Sequence, residues 1–363
     1  MNEQIFSRQD TTTAKAVAII LMMIHHLFRF PERLHDVAYI SVFPFFPGVE
    51  YWMGDFAKIC VAMYLFLSGY GLFFIQKTNS SFTEIVRRGV KFLLNYWAVF
   101  ILFVPVGLIF FNDNPRYYWN IKTFLFNFLA LDNSYNGEWW FVQLYLELLI
   151  LFPVYRILLL RKSPTASFLV YGALLVVTFG MSSLAKYLPD GILKYAISRS
   201  QLLILWQPLF TLGLIFARHN LFRSLGQWVH RFRLDSRLMY SLMILAIIAV
   251  RITVTLRLNA TYVIYGDFLL TPFFVFFVTR LLANSNYTHS LLDFFGRHST
   301  NIWLTHSFFC YYYFQKLVFA PKISLLILCW LLILSSASSI LVNFVMRIIA
   351  RPFTPLLSRG GSK

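Results

Sequence analysis

The sequence predicts an all-α, polytopic integral membrane protein with about ten transmembrane helices and no separate soluble domain. Of its 363 residues, 58% are hydrophobic and 13% are charged, whereas soluble domains carry about 25% charged residues. Apolar runs that approach the length of a membrane-spanning helix, about 20 residues, recur from one end of the chain to the other. Because no long polar stretch separates these runs, we expect residues 1–363 to form a single membrane domain.

The predicted helices follow the apolar runs in chain order. The candidate spans are 15–30, 57–75, 91–111, 138–160, 168–186, 201–217, 238–257, 262–282, 300–318 and 323–349. The stretch IKTFLFNFLAL, residues 121–131, is too short to cross the membrane and is expected to be a re-entrant or interfacial piece. After the last span we expect a short basic tail in the cytoplasm, residues 350–363.

The positive charges lie mainly in the short connections between apolar runs. A net charge of +17 would suit a nucleic-acid partner, but this placement is typical of residues that orient a membrane protein. Roughly 20 of the 32 lysines and arginines fall on one side if the helices alternate, and such an excess marks the cytoplasmic side. We therefore expect a cell (plasma or inner) membrane protein with both termini in the cytoplasm. It should contact membrane lipid and no nucleic acid.

The first span carries polar side chains near both ends. Lys15 and His26 are eleven positions apart, which is about 1100° of helix rotation, so they share one face roughly 16 Å apart along the axis. His25 falls about 80° away from that face. Imidazole exchanges protons near neutral pH, so His26 is a candidate general base, with Lys15 at the cytoplasmic mouth of the same cavity. The alternative is an interfacial histidine and a lysine that snorkels to the inner surface.

Five stretches in chain order resemble motifs of the acyltransferase 3 family of membrane acyltransferases. They are KAVAIILMMIHH (15–26), MYLFLSGYGLFF (63–74), RRGVKFLLNYW (87–97), GEWWFVQLYLELLILFP (137–153) and FGRHSTNIWLTHSFF (295–309). The basic residue of the first motif is often arginine in the family and is Lys15 here. Of the doubled histidine, the motif spacing and the helical face both select His26.

The resemblance implies about ten spans and transfer of an acyl group, often acetyl, from a coenzyme A thioester to a hydroxyl. The donor would be acetyl-CoA or another acyl-CoA, and the acceptor a cell-surface polysaccharide or lipid-linked glycan. Glycan-assembly proteins are possible partners, and no metal is expected. The alternative is a proton-coupled transporter or flippase, which buried His, Glu and Lys would also suit. The enzyme is favoured because the unusual polar residues crowd into 15–147 and 295–309, without the matching halves of many transporters.

In this enzyme His26 would take the proton of the acceptor hydroxyl, directly or with an acyl-histidine intermediate. A base needs an orienting group, and Glu147, near the middle of the fourth span, is the best candidate. A structural hydrogen bond to a neighbouring helix is its alternative role. The other acids considered lie at or beyond the far membrane face: Glu138, Asp55, Glu50 and Asp36.

Two groups are candidates for binding the donor. Arg87, Arg88 and Lys91 precede the third span on the cytoplasmic side, where guanidinium and ammonium groups would bind the phosphates of acyl-CoA. An ordinary orienting cluster explains them equally well. Ser68 and Gly69 lie deep in the second span and would allow close approach of the acyl or pantetheine chain. Small residues at helix contacts are the alternative.

The acceptor candidates are aromatic residues and one histidine. Trp140 and Tyr145, with Trp139, are either a platform on which a sugar stacks or part of an aromatic belt. His306 lies within the predicted ninth span. It either contacts substrate or bridges helices by a hydrogen bond.

Overall fold

The computed structural model describes residues 6–75, 82–159, 163–184, 187–189, 191–258, 260–283 and 286–354, whose regular structure is helical. The predicted tail beyond residue 354 lies outside these ranges. The helices are α1 (Arg8–Phe28), α2 (Val49–Ala57), α3 (Ile59–Ile75), α4 (Phe82–Phe110), α5 (Ile121–Phe128), α6 (Trp140–Leu159), α7 (Pro164–Leu184), α8 (Ile192–Arg199), α9 (Gln201–Arg218), α10 (Leu221–Arg231), α11 (Arg237–Arg257), α12 (Ala260–Leu282), α13 (Asn286–Ser307), α14 (Gln315–Phe319) and α15 (Ser324–Ile349).

Within the described ranges, 9 helical stretches are long and apolar enough to cross a membrane. They are Arg8–Phe28, Val49–Phe74, Phe82–Phe110, Gly137–Leu159, Pro164–Met181, Gln201–Arg218, Arg237–Arg257, Val263–Leu282 and Ser324–Ile349. Each corresponds in order to a predicted span, so the all-helical polytopic class is confirmed. The short stretch expected at 121–131 is the helix α5. The side of the membrane on which the termini lie stays a prediction.

The first helix begins earlier than the sequence predicted, because a side-chain cap starts it in the polar segment. The backbone N–H of Ser7 donates to Asp10 Oδ2 at 2.7 Å, and the backbone N–H of Asp10 donates to Ser7 Oγ at 3.1 Å. This reciprocal pair satisfies donors that an uncapped helix start would leave free. The helix therefore includes the polar residues Arg8–Thr13 before its apolar part.

The predicted ninth span, 300–318, is not one continuous helix, and this prediction was wrong. Helix α13 ends at Ser307, the segment Phe308–Tyr312 adopts π-helical geometry, and α14 follows after a short turn. The physical reason is that the end of α13 carries polar side chains that the protein buries. They are Ser299, Asn301, Thr305, His306 and Ser307. Polar groups at membrane depth face protein and not lipid, so apolar length alone misplaced this helix.

The chain forms two compact units. Unit 1 comprises Met1–Ala18, Lys58–Ser80 and Glu147–Gly296, and unit 2 comprises Ile19–Ala57, Ser81–Leu146 and Arg297–Lys363. The prediction of a single membrane domain stays a prediction.

In unit 1 the backbones of α3 and α9 are in direct contact. A Cβ atom added to Gly69 would collide with the carbonyl oxygen of Phe210, and one added to Gly213 would collide with that of Phe66. Small residues at such positions allow helices to approach closely. Helices α3 and α9 of unit 1 therefore pack against each other at these two glycines. Gly69 is the one that lies in the second predicted span.

In unit 2 helix α4 packs against α15, and the loop after α1 is bound to the start of α15. The Ile40 N–H donates to the carbonyl of Lys322 at 2.7 Å, and the Ser324 N–H donates to the carbonyl of Ile40 at 2.9 Å. These bonds fix the loop that follows the last turn of α1, where the predicted base lies.

Candidate active site

His26 is buried in the last turn of α1, and one tyrosine hydroxyl contacts both its ring and its backbone. The hydroxyl of Tyr311 donates to the carbonyl oxygen of His26 at 2.6 Å. The same hydroxyl oxygen lies 3.1 Å from His26 Nδ1. A tyrosine hydroxyl has one hydrogen, and the carbonyl takes it. We therefore assign the hydrogen of the neutral imidazole to Nδ1, which donates to Tyr311, and leave the lone pair on Nε2.

The Nε2 atom of His26 faces a carboxylate. Its distance to Glu138 Oε2 is 3.6 Å, which is too long for a direct hydrogen bond. A hydroxyl oxygen that donates its hydrogen to His26 Nε2 or to Glu138 Oε2 can lie within hydrogen-bond distance of both atoms. When Nε2 accepts a proton, the ring becomes a cation and Glu138 stabilises it through charge. The pair therefore suits removal of a proton from a hydroxyl.

Glu138 is itself paired with a cation. Arg33 Nη1 donates to Glu138 Oε1 at 2.9 Å, and the Arg33 guanidinium lies 5.0 Å from the centre of the Tyr311 ring. Burial lowers the pKa of Arg33, but the Tyr311 oxygen and the Glu138 carboxylate outweigh that effect, so the pKa is raised. Arg33 therefore stays charged and holds one carboxylate oxygen, which leaves the other directed at His26.

The residues on either side of Glu138 are bound to the end of α13 and to the π-helical segment. The N–H of Gly137 donates to the Tyr312 hydroxyl at 3.0 Å, and the indole N–H of Trp139 donates to the carbonyl of Leu304 at 3.0 Å. A π-helical turn rotates the side chains that follow it relative to the preceding helix, and such turns are frequent at functional sites. Here the same segment contacts the base through Tyr311 and the residue before Glu138 through Tyr312.

A second imidazole lies beside the first. The ring centres of His26 and His306 are 4.9 Å apart, and His306 is fully buried. Its Nδ1 lies 2.7 Å from the carbonyl of Trp303, so Nδ1 carries the hydrogen and Nε2 carries the lone pair. Among the described residues no hydrogen-bond partner reaches this Nε2. A buried acceptor without a partner costs free energy unless a ligand donates to it, which supports the prediction that His306 contacts substrate.

Side-chain hydrogen bonds of His25 and Arg29 connect the end of α1 to α2. His25 Nδ1 lies 2.7 Å from the carbonyl of Gly54, and Arg29 Nε donates to Asp55 Oδ1 at 2.7 Å. The His25 ring thus bonds Gly54, whereas the His26 ring lies against Tyr311 and Glu138. The geometry thus gives the two histidines of the doublet different surroundings, as their helical faces predicted.

The predicted phosphate-binding cations differ in their partners. Arg87 forms an ion pair with Glu84, with Nη2 and Oε1 2.6 Å apart, so much of its charge is already neutralised. Arg88 lies beside the hydroxyl of Tyr145, and Lys91 is exposed. Arg88 and Lys91 are therefore the better candidates for an anionic donor.

A cluster of aromatic rings leads from Arg88 toward the two imidazoles. The Tyr145 ring lies 4.6 Å from Phe92, and Phe92 stacks on Trp303 at 6.4 Å. Phe141 also contacts Trp303, at 5.3 Å. Since Trp303 supplies the carbonyl that holds His306, these rings run from the predicted donor end of unit 2 to the residue that holds the second imidazole. Trp140 is half-buried beside this cluster, and its ring centre is 5.8 Å from that of Phe141.

Four of the predicted site residues belong to unit 1. Lys15 is half-buried, and its carbonyl accepts a hydrogen bond from Tyr64 at 3.3 Å. Gly69 lies at the contact of α3 and α9, which accounts for a glycine there by packing alone. Ser68 and Glu147 are half-buried. The chemical roles assigned to these four residues stay predictions.

Sequence reasoning named Glu138 among several acids at the membrane face, and it did not single out Arg33 or Tyr311. Tyr311 is 285 positions from His26 in the chain, so no local pattern connects them. The only signal was the aromatic run that follows His306, which hydropathy assigned to a continuous span.

The profile of the acyltransferase 3 family, which describes an acyltransferase domain, matches residues 12–347. No curated protein and no solved structure matches the chain. The matched region contains all the residues described above at the candidate site, and it covers nearly the whole chain, so this polytopic membrane protein belongs to the acyltransferase 3 family and is an acyltransferase.

Proposed function

We propose that the protein is a membrane O-acyltransferase that moves an acyl group, acetyl in the first instance, from acyl-CoA to a hydroxyl of a cell-surface or lipid-linked polysaccharide. The observation that carries the proposal is the pairing of His26 Nε2, free to accept a proton, with Glu138 at 3.6 Å. Acyl transfer to an alcohol needs such a base, because the neutral hydroxyl is a weak nucleophile.

The reaction follows from this pairing. The acceptor hydroxyl gives its proton to His26 Nε2 as its oxygen attacks the thioester carbonyl. The new C–O bond forms, the C–S bond breaks, and the proton on Nε2 passes to the departing thiolate to give free coenzyme A. Glu138 stabilises the imidazolium between these steps, and His306 Nε2 accepts a hydrogen bond from a second group of the substrate.

The donor would enter at the start of α4. Arg88 and Lys91 would bind its phosphates, and the aromatic cluster of Tyr145, Phe92 and Trp303 would line the route of the pantetheine arm toward His306. This arrangement fits a cytosolic donor and a protein in the cell membrane with both termini in the cytoplasm. Lys15 would lie at the cytoplasmic side of the membrane. Glu147 would lie in the membrane interior.

The test uses purified protein in lipid nanodiscs with radiolabelled acetyl-CoA and a crude surface-glycan extract. We expect the wild type to consume the thioester and to pass label to the glycan, and His26→Ala to lose both activities while remaining folded. His25→Ala is the matched control and should lose less activity, because its ring bonds Gly54 and not Tyr311.

Two results would count against the proposal. Full turnover in His26→Ala would remove the base from the mechanism. Absence of thioester turnover in well-folded wild-type protein would instead favour a transporter or flippase, with the buried histidines as a proton path.

A further inference from the structure

A cavity of about 510 Å³ opens in unit 2 where α4 ends and the chain turns toward α5. A volume of this size falls in the range of small-molecule sites, roughly 300–1,000 Å³. It is lined by Leu108, Asn112, Asp113, Tyr117, Tyr118 and Trp119. None of these residues belongs to the acyl-transfer machinery described above, so the cavity needs its own explanation.

The lining combines aromatic faces with uncharged and negative hydrogen-bonding groups. Tyr118 is 58% exposed and Trp119 is 65% exposed, which leaves large ring surfaces accessible. Asn112 and Asp113 are also exposed and offer an amide and a carboxylate beside the rings. A sugar ring presents C–H groups on its face and hydroxyls at its edge, so it can stack on an aromatic ring while its hydroxyls donate to a carboxylate or amide oxygen.

The charges of the lining argue against the anionic donor. Among the described residues, no lysine or arginine lines the cavity. The nearest cation in sequence, Arg116, directs its guanidinium to the carbonyl of Ser134 and over the ring of Tyr312 at 4.8 Å. An aromatic belt at a membrane surface would explain the exposed rings, but it does not require Asp113 in the same cavity.

The floor of the cavity is held in place before any ligand binds. Tyr117 is fully buried, and its hydroxyl donates to the carbonyl of Tyr135 at 3.0 Å. The side chain of Asn114 accepts from the N–H of Arg116 at 3.0 Å, which fixes the turn. Trp119 packs against Phe124 of α5, with ring centres 5.4 Å apart. Such preorganisation lowers the entropy lost on binding.

The same contacts join the cavity to the base. Arg116 packs on Tyr312, the Tyr312 hydroxyl accepts from the N–H of Gly137, and the next residue is Glu138, which faces His26. The turn that forms the cavity and the loop that carries Glu138 are thus parts of one bonded assembly. A ligand bound at this turn would therefore contact the assembly that also positions Glu138.

We propose that this cavity is a carbohydrate subsite, in which one sugar ring of the acceptor stacks on Trp119 and Tyr118 and donates hydroxyl hydrogen bonds to Asp113 and Asn112. As an acceptor subsite it rests on the proposed function. As a carbohydrate-binding site it can be tested separately.

The experiment is saturation-transfer difference NMR on the full chain in nanodiscs, with maltohexaose, cellohexaose and chitohexaose as probes and protein-free nanodiscs as the blank. We expect the wild type to bind at least one of these sugars above the blank. Trp119→Ala should weaken binding about tenfold, as removal of a central aromatic contact does. Asp113→Asn should weaken it roughly fivefold, since the hydrogen bond then goes to a neutral amide oxygen and not to a charged carboxylate.

Trp228→Ala is the matched control, because Trp228 is an exposed tryptophan of α10 in unit 1. It should bind as the wild type does. Equal binding by Trp119→Ala and the wild type, or no binding of any of the three sugars, would overturn the subsite. If binding depends on Trp119 but no sugar accepts label from acetyl-CoA, the carbohydrate site stands and the proposed acyl transfer to sugars fails.

Discussion

Replacing Tyr311 with phenylalanine removes one oxygen atom and keeps the ring. The ring contact with Arg33 remains, but the contact of the hydroxyl with the Arg33 guanidinium is lost. The hydrogen bond that the hydroxyl accepts from His26 Nδ1 and the one that it donates to the His26 carbonyl oxygen are lost as well. Nδ1–H then becomes a buried donor without a partner. Since Nδ1–H is a stronger donor in the imidazolium than in the neutral ring, the loss should be larger in the transition state than in the resting enzyme.

An unsatisfied buried donor costs about 1–3 kcal/mol, and only the part of that cost that is larger in the transition state than in the resting enzyme lowers kcat. At about 1.4 kcal/mol for each factor of ten, the full cost would lower kcat roughly 5- to 150-fold, which is the upper limit of the expected fall. The KM for acetyl-CoA should change little, because the hydroxyl of Tyr311 contacts the base and not the predicted phosphate site. Steady-state turnover of radiolabelled acetyl-CoA in nanodiscs measures both constants.

Tyr313→Phe is the matched control for this substitution. Tyr313 follows the same π-helical segment, but its hydroxyl donates to the carbonyl of Phe103 at 2.9 Å. It should lower thermal stability without a selective loss of kcat. Wild-type kcat in Tyr311→Phe, or equal losses of kcat in the two variants, would refute the assignment of the His26 tautomer.

Three further predictions concern the carboxylate, the donor and the glycine contact. Glu138→Gln should lower kcat about tenfold or more, since the imidazolium loses a charged partner; unchanged kcat would exclude Glu138 from the reaction. Arg88→Gln should raise the KM for acetyl-CoA more than Arg87→Gln does, because Arg87 is already ion-paired, and the reverse order would mean that the pairing does not decide availability. Gly69→Ala should lower the melting temperature of the protein, whereas Gly71→Ala should not, because a Cβ atom on Gly71 meets open space. Loss of acyl-CoA binding without loss of stability in Gly69→Ala would restore its predicted role at the donor.

The helical class could be predicted because it depends on one property, the length of apolar runs in a solvent that satisfies no backbone hydrogen bonds. The length of the apolar run does not predict the ends of α13. Its buried polar residues, Asn301 and His306 among them, face other protein groups, so hydropathy neither fixes its ends nor reveals the π-helical turn after it.

The site could be predicted only in part, for a related reason. His26 stands out because a histidine in an apolar run is costly and its spacing from Lys15 is local. Its partners are not local, since Glu138, Arg33 and Tyr311 reach it through tertiary contacts. Hydropathy assigned Glu138 to the membrane face, where an acid is unremarkable, and only the fold shows that the short turn before α6 meets the end of α1.

The hydroxyl of Tyr311 connects the ring of His26 to the carbonyl of the same residue, so the imidazole has little rotamer freedom left. An enzyme whose base rotated freely would lose that conformational entropy again in every catalytic cycle. Here the loss occurs once, when the chain folds and the π-helical segment meets the last turn of α1. The order that the reaction needs is therefore already present in the resting protein.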